Sequence, residues 1–283
     1  MNRLFKTVFT TMALILCLAM SVSAAANTDW NKGTIRVVGT GISNPNIAVS
    51  ANHAKALAKR AAVLDAYRQL AEEVNGVHVD SETTVENLMI SNDLIKTNVH
   101  ALIQGAKIVD VQYHGSETCE VTVEMRMFGE TDSLAATVLP KNDNIVPFAT
   151  PAPSVSTPVP QPNPVENNQP KHTSGHGYTG VIIDCIDLGL TPAMSPVIKS
   201  ESGVPIYGYK NLNYKFVIKH GMADYAKNLA MAERAGSNPL IVKAIRTENH
   251  GFNPVVSEAD ANLILTENLS THFLDRTNVV FLR

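Results

Sequence analysis

The chain has 283 residues, with 23 Lys and Arg against 26 Asp and Glu, a formal net charge of -3, and 6% aromatic residues. That length suits two modest domains, and the balanced charge argues against a dedicated binder of nucleic acid or anionic lipid, which clusters Lys and Arg on one face. The densest basic group, Lys55, Lys59 and Arg60, falls on one predicted helix opposite its apolar side and reads as a solvated surface.

Arg3 and Lys6 precede an uncharged apolar run, Val8 to Met20, too short to span a bilayer but suited to the core of a signal peptide. Small residues follow from Ser23 to Ala26, so cleavage is expected after Ala24 or Ala26 and the signal peptide is assigned to residues 1–26. Cys17 is preceded by Leu16 and followed by more apolar sequence, which is not the setting of a lipidated cysteine, so it is expected to be discarded. Only Cys119 and Cys185 then remain, too few for a disulfide framework, and each domain is expected to stand on its own core. No later segment is long and apolar enough to span a membrane.

The first domain, residues 30–130, mixes strand and helix patterns. "TIRVVG" reads as a strand ended by Gly39 and Gly41, followed by a helix from about Ile47 to Val74 with Val63, Ala66, Tyr67, Leu70 and Val74 on one face. Asn75-Gly76 supplies its stop. "VHVDSETTV" is predicted as a strand and "SNDLIKTNVHALIQ" as a helix capped by Ser91 or Asn92. "AKIVDVQYHGSETCEVTVEMRM" is a hairpin turning at His114 to Glu117. Its second arm alternates Cys119, Val121, Val123, Met125 and Met127 against polar residues, which makes Cys119 a core residue rather than a nucleophile. Gly39-Thr40-Gly41 after a strand and before a helix, with Asp80 ending the next strand, imitates a dinucleotide turn; Asn44 stands at the third glycine position and the helix is far too long for that unit.

The order of glycine-ended strand, Ala-rich helix "AKALAKRAAVLDAYRQLAEEVNGVHVDSETTVEN" and closing "LIQGAKIVDVQYHGSETCEVTVEMRM" resembles the LPP-twenty lipoprotein family and the related N-terminal domain of flagellar assembly protein T. The resemblance covers Thr34 to Met127. It implies an exported envelope or surface protein with an α+β domain, and partners among other envelope or flagellar proteins. Its shared motif is a packing motif, so it implies no catalytic, cofactor or metal residues. The chain departs from the lipoprotein members in lacking a usable lipidation cysteine.

Residues Pro140 to Pro170 hold nine of the fifteen prolines. Proline lacks a backbone donor and disfavours helix before it, so residues 140–177 are expected to form an extended tether between independent domains. His172 and His176 within it lack a third metal ligand nearby.

The second domain, residues 178–283, opens with "GVIIDCI", apolar on both faces as a central strand would be. A hairpin is expected around Ser202-Gly203, a helix over Met222–Ala235 ended by Gly236, a strand at "PLIVKAI", a helix begun by Ser257 and Asp260, and a closing strand "NVVFL". This half looks like the C-terminal domain of uncharacterised exported bacterial proteins. Asp184, Asp187, Ser195 and His220 form an acid, base and nucleophile set on paper only, since no hydrolase elbow, zinc motif or phosphate loop accompanies them. The sequence therefore predicts an α+β fold of two small domains, each a mostly antiparallel sheet packed on helices, in an exported, non-enzymatic envelope protein with no cofactor. The alternative is an exported ligand-binding or hydrolytic protein acting on cell-wall glycan or peptide.

Overall fold

The computed structural model describes residues 27–151 and 177–283. The export segment 1–26, Cys17 included, and the stretch 152–176, with His172 and His176, lie outside the described residues.

Two glycines set the geometry of the first domain. Strand β1 (Asn27–Asp29) pairs antiparallel with β2 (Thr34–Ile42), whose buried positions are Ile35, Val37, Gly39 and Gly41. Helix α1 (Ala51–Asn75) begins at Ser50, whose Oγ accepts the His53 N–H. It buries Ala54, Ala58, Ala62, Ala66, Leu70 and Val74, one residue in every four. A Cβ on Gly39 would stand 2.7 Å from the Ala66 Cα, and one on Gly41 would stand 2.9 Å from the Ala61 carbonyl carbon. The alanine ridge thus rests on bare strand backbone, and Gly39 and Gly41 lie inside β2 rather than ending it.

Helices α2 (Val85–Ser91) and α3 (Asp93–Gln104) meet at Asn92, whose Oδ1 accepts the N–H groups of Leu94 and Ile95. The predicted strand "VHVDSETTV" is instead a loop with one isolated bridge, His78 to Thr84. Asp80 shapes it by accepting the N–H groups of Glu82 and Thr83. Strands β3 (Lys107–His114) and β4 (Thr118–Arg126) form the expected hairpin, with Cys119, Val121, Val123 and Met125 inward. The sheet order is β1-β2-β4-β3, antiparallel throughout. A short helix α4 (Leu134–Val138) follows, capped by Ser133.

The second domain departs from the expected strand direction. Its central sheet joins β5 (Gly180–Asp184), β8 (Asp224–Ala226), β9 (Pro239–Lys243) and β12 (Val279–Leu282) in the order β8-β12-β5-β9, and every pair is parallel. Both faces of its inner strands are covered, which is why β5 from Gly180 to Ile183 and the whole of β12 are apolar. A second sheet orders β6 (Ile198–Ser200), β7 (Pro205–Tyr207), β10 (Arg246–Glu248) and β11 (Asn253–Val256) as β10-β11-β6-β7, and here β11 and β6 are parallel. Helix α5 (Tyr214–His220) precedes β8, and α6 (Glu258–Thr271) starts at Ser257, whose Oγ accepts the Asp260 N–H. The helix expected over Met222–Ala235 is replaced by β8 and two 3-10 turns, because Asp224, Tyr225 and Ala226 pair with β12. The α+β, two-domain class stands; the predominance of antiparallel pairing holds only in the first domain.

The domains are not held apart. One continuous apolar core runs from Ile35, Ala62 and Val123 in the first to Val181, Ile198 and Phe281 in the second. Trp30 lies edge-on to Tyr225 with ring centroids 5.4 Å apart, and His78 tilts onto Phe252 at 4.4 Å. The Met194 N–H donates to the His78 carbonyl at 2.9 Å and the Ser195 N–H to the Val79 carbonyl at 2.8 Å. Residues expected to begin the tether pack here too. The Val146 N–H donates to the Lys210 carbonyl at 2.8 Å, Asn142 Nδ2 donates to the Leu212 carbonyl at 3.1 Å, and Phe148 stacks parallel to Tyr207. The expectation of independent modules at a distance is therefore corrected. The loop His78–Asp80 and the segment after β4 give their polar groups and apolar side chains to the other domain.

Candidate functional site

The four residues that could be assembled into a catalytic set are each engaged in a different structural task. Asp184 Oδ1 accepts the Ile186 N–H at 3.0 Å, where β5 turns, and Asp187 occupies a left-handed position with φ 67°. Ser195 is buried and its Oγ donates to the Val79 carbonyl at 2.7 Å, so it joins the domains. His220 closes α5 with its ring 4.5 Å from that of Phe216, and its carbonyl accepts the Arg234 guanidinium. Partial desolvation of this otherwise exposed ring, with Lys219 and Arg234 nearby, pulls the His220 imidazole below its ordinary value.

An ion pair that sequence reasoning missed lies beneath this region. Arg234 Nε stands 2.8 Å from Asp224 Oδ1, with both side chains largely covered, and the guanidinium also donates to the carbonyls of Gly221 and Thr277. Burial raises the Asp224 carboxyl and Arg234 opposes the rise. An Arg between Glu233 and Ala235 in a predicted helix gave no signal of this role; only the strand pairing of β8 brings the two together. Cys119 and Cys185 are buried and unpaired, and burial pushes both thiols up, Cys185 to about 12. Neither is a nucleophile at neutral pH. Among the described residues no group of three or more His, Cys, Asp or Glu is placed to hold a metal ion, and no helix is long and apolar enough to cross a membrane.

A cavity of about 450 Å³ opens in the first domain, where the end of α3 meets the start of β3 and the end of β4. Leu102 and Met125 give it apolar lining, while Lys107, Glu124, Arg126 and Asp132 bring charge. Glu124 is already tied to Arg36, whose NH2 lies 2.5 Å from its Oε2. The lining thus combines one fixed ion pair with two further cations and one further carboxylate.

Residues 34–126 match the LPP20 lipoprotein family, and residues 180–283 match a family described as Treponema pallidum Tp0624, second domain. A search of curated proteins finds no match to the chain. The two matched ranges coincide with the two folded domains.

Proposed function

For a two-domain LPP20-like protein, we propose a non-enzymatic structural or assembly role in the cell envelope, exercised through contacts with other envelope or flagellar proteins. The lipoprotein family of the first domain supports an envelope-associated protein. The observation that carries the rest is the use made of Ser195. The residue best suited by type to be a nucleophile is a buried strut between domains, its hydroxyl spent on the Val79 carbonyl. A body whose polar side chains serve its own cohesion presents fixed surfaces, which is what an assembly component requires. The leader Val8–Met20 adds export, and the absence of a small residue before Cys17 favours a released chain over a lipidated one.

The test combines cell fractionation, in-cell cross-linking with mass spectrometry, and incubation of the purified chain with peptidoglycan. The reading expects recovery with the envelope, cross-links to defined envelope or flagellar proteins, and no release of glycan or peptide fragments. Loss of motility on deletion would narrow the role to the flagellar base. Fragment release abolished by Asp132→Asn in the α3–β3–β4 cavity would establish the hydrolytic alternative instead.

A further inference from the structure

The geometry points to a second property of the first domain: we infer that its tip, formed by the loop 43–50 and the first half of α1, docks on an anionic lipid bilayer. The inference rests on the envelope reading for its setting, but its evidence is separate. Gly41 lies under Ala58 and Ala62, and Gly39 under Ala62 and Ala66, so α1 runs antiparallel to β2. The seven residues from Ala51 to Leu57 therefore overhang the end of the sheet by about 10 Å, at 1.5 Å per residue. The loop that joins Ile42 to this overhang lies at that end beside the β3–β4 turn, where the Ser43 N–H donates to the Glu117 carbonyl at 2.8 Å.

Three aliphatic side chains there face solvent: Ile42 is 70% exposed, Ile47 60% and Val49 88%. Beside them stand the exposed cations Lys55, Lys59 and Arg60, and from Trp30 to Leu64 the chain carries no carboxylate at all. The sequence alone presents these three cations as an ordinary solvated face; the protruding aliphatics beside them change that reading. The acids that border this end are Glu117 in the β3–β4 turn, Glu120, which stands 3.4 Å from His114, and Asp65, which accepts the Thr40 N–H at 3.0 Å. Lys55 Nζ sits 5.7 Å over the Tyr113 ring, which holds that cation at the same end.

A protein partner of ordinary size would need a broad complementary face, of the order of 800 Å² per side. A projecting loop with a few aliphatics above a carboxylate-free basic shoulder matches the other geometry: aliphatics at the acyl boundary and cations among anionic headgroups.

The experiment uses the chain from Asn27 onward, which contains the whole described body and lacks the apolar run Val8–Met20. Co-sedimentation is measured with vesicles of phosphatidylglycerol and phosphatidylethanolamine, and with vesicles of phosphatidylcholine alone. The expected result is binding to the anionic vesicles that falls with salt. It should weaken by about tenfold or more in Ile47→Asp/Val49→Asp and in Lys55→Glu/Lys59→Glu, with thermal unfolding unchanged because these side chains are exposed. Absence of binding, equal binding to phosphatidylcholine, or undiminished binding by both variants would overturn the inference. So would a change of oligomeric state in the variants on gel filtration, which would identify the tip as a contact between copies. Envelope recovery of the full chain carrying the same substitutions is scored separately, so the tip can fail while the envelope reading survives.

Discussion

Ser195 in the second domain donates twice to one acceptor in the first: its backbone N–H reaches the Val79 carbonyl at 2.8 Å and its hydroxyl reaches the same oxygen at 2.7 Å. A buried carbonyl with both lone pairs filled from another domain fixes the relative position of the two. Ser195→Ala keeps the backbone bond and removes the hydroxyl, at an expected cost of about 1 to 2 kcal/mol in urea unfolding. Trp30, the single tryptophan, stands edge-on to Tyr225 at the same seam and should report the loss in its emission. An unchanged urea midpoint would mean that the hydroxyl bond adds nothing to the docking.

Gly41→Ala should be among the most damaging single changes in the first domain. The added methyl would press on the Ala58 carbonyl and the Ala62 N–H, both rigid helix backbone, so α1 has to lift from the sheet. The expected cost is about 3 kcal/mol or more. Gly115→Ala provides the contrast, because its φ of +76° is strained for alanine but its surroundings are open. The two should separate clearly in thermal melts, and equal melting temperatures would contradict the account of the Gly-x-Gly strand.

The thiols offer a third check. Cys119 and Cys185 are buried in the shared core and burial raises both above their ordinary range. Thiol titration of the native chain from Asn27 onward at neutral pH should find neither, and titration in denaturant should find both. Rapid native labelling of either would show that the core opens.

His220 gives a pH signature. Partial desolvation of the exposed ring depresses its folded pKa, Lys219 and Arg234 add to the effect and Glu130 opposes it. The unfolded chain therefore takes up the proton first as pH falls. The stability involved is present above about pH 6.5 and is lost as pH drops through that value towards the lower folded pKa. His220→Gln should match the wild type at neutral pH and lose less stability on acidification, read as urea midpoints across the range. Parallel pH curves would contradict the assignment.

The parts legible in the sequence are those whose local pattern and tertiary role agree. β4 alternates because one of its faces is buried by α1, and α6 starts at Ser257 because that hydroxyl caps it. In the central sheet of the second domain β5, β9 and β12 were legible as apolar runs, but β8 was hidden, because it is only three residues long and acquires its meaning from β12 across the fold. "MADYAKNLAMAERAG" has the alanines and methionines of a helix, yet Tyr225 and Ala226 join the sheet, where pairing outweighs propensity. The seam was hidden for a related reason. "VHVD" alternates like a strand, but the carbonyls of His78 and Val79 turn towards a partner more than a hundred residues away in the chain. One signal was available: alanines at 54, 58, 62 and 66 opposite Gly39 and Gly41 spell out a helix lying on bare strand backbone.

The central claim is that the two domains make one body despite the proline-rich stretch between them. A specific protease site placed within residues 152–176 and cut to completion tests it most directly, with the products followed by gel filtration, Trp30 emission and calorimetry. The account predicts that both fragments co-elute as a single species of the intact size, retain native emission and unfold in one transition. Two separately eluting fragments, each with its own melting transition, would contradict it.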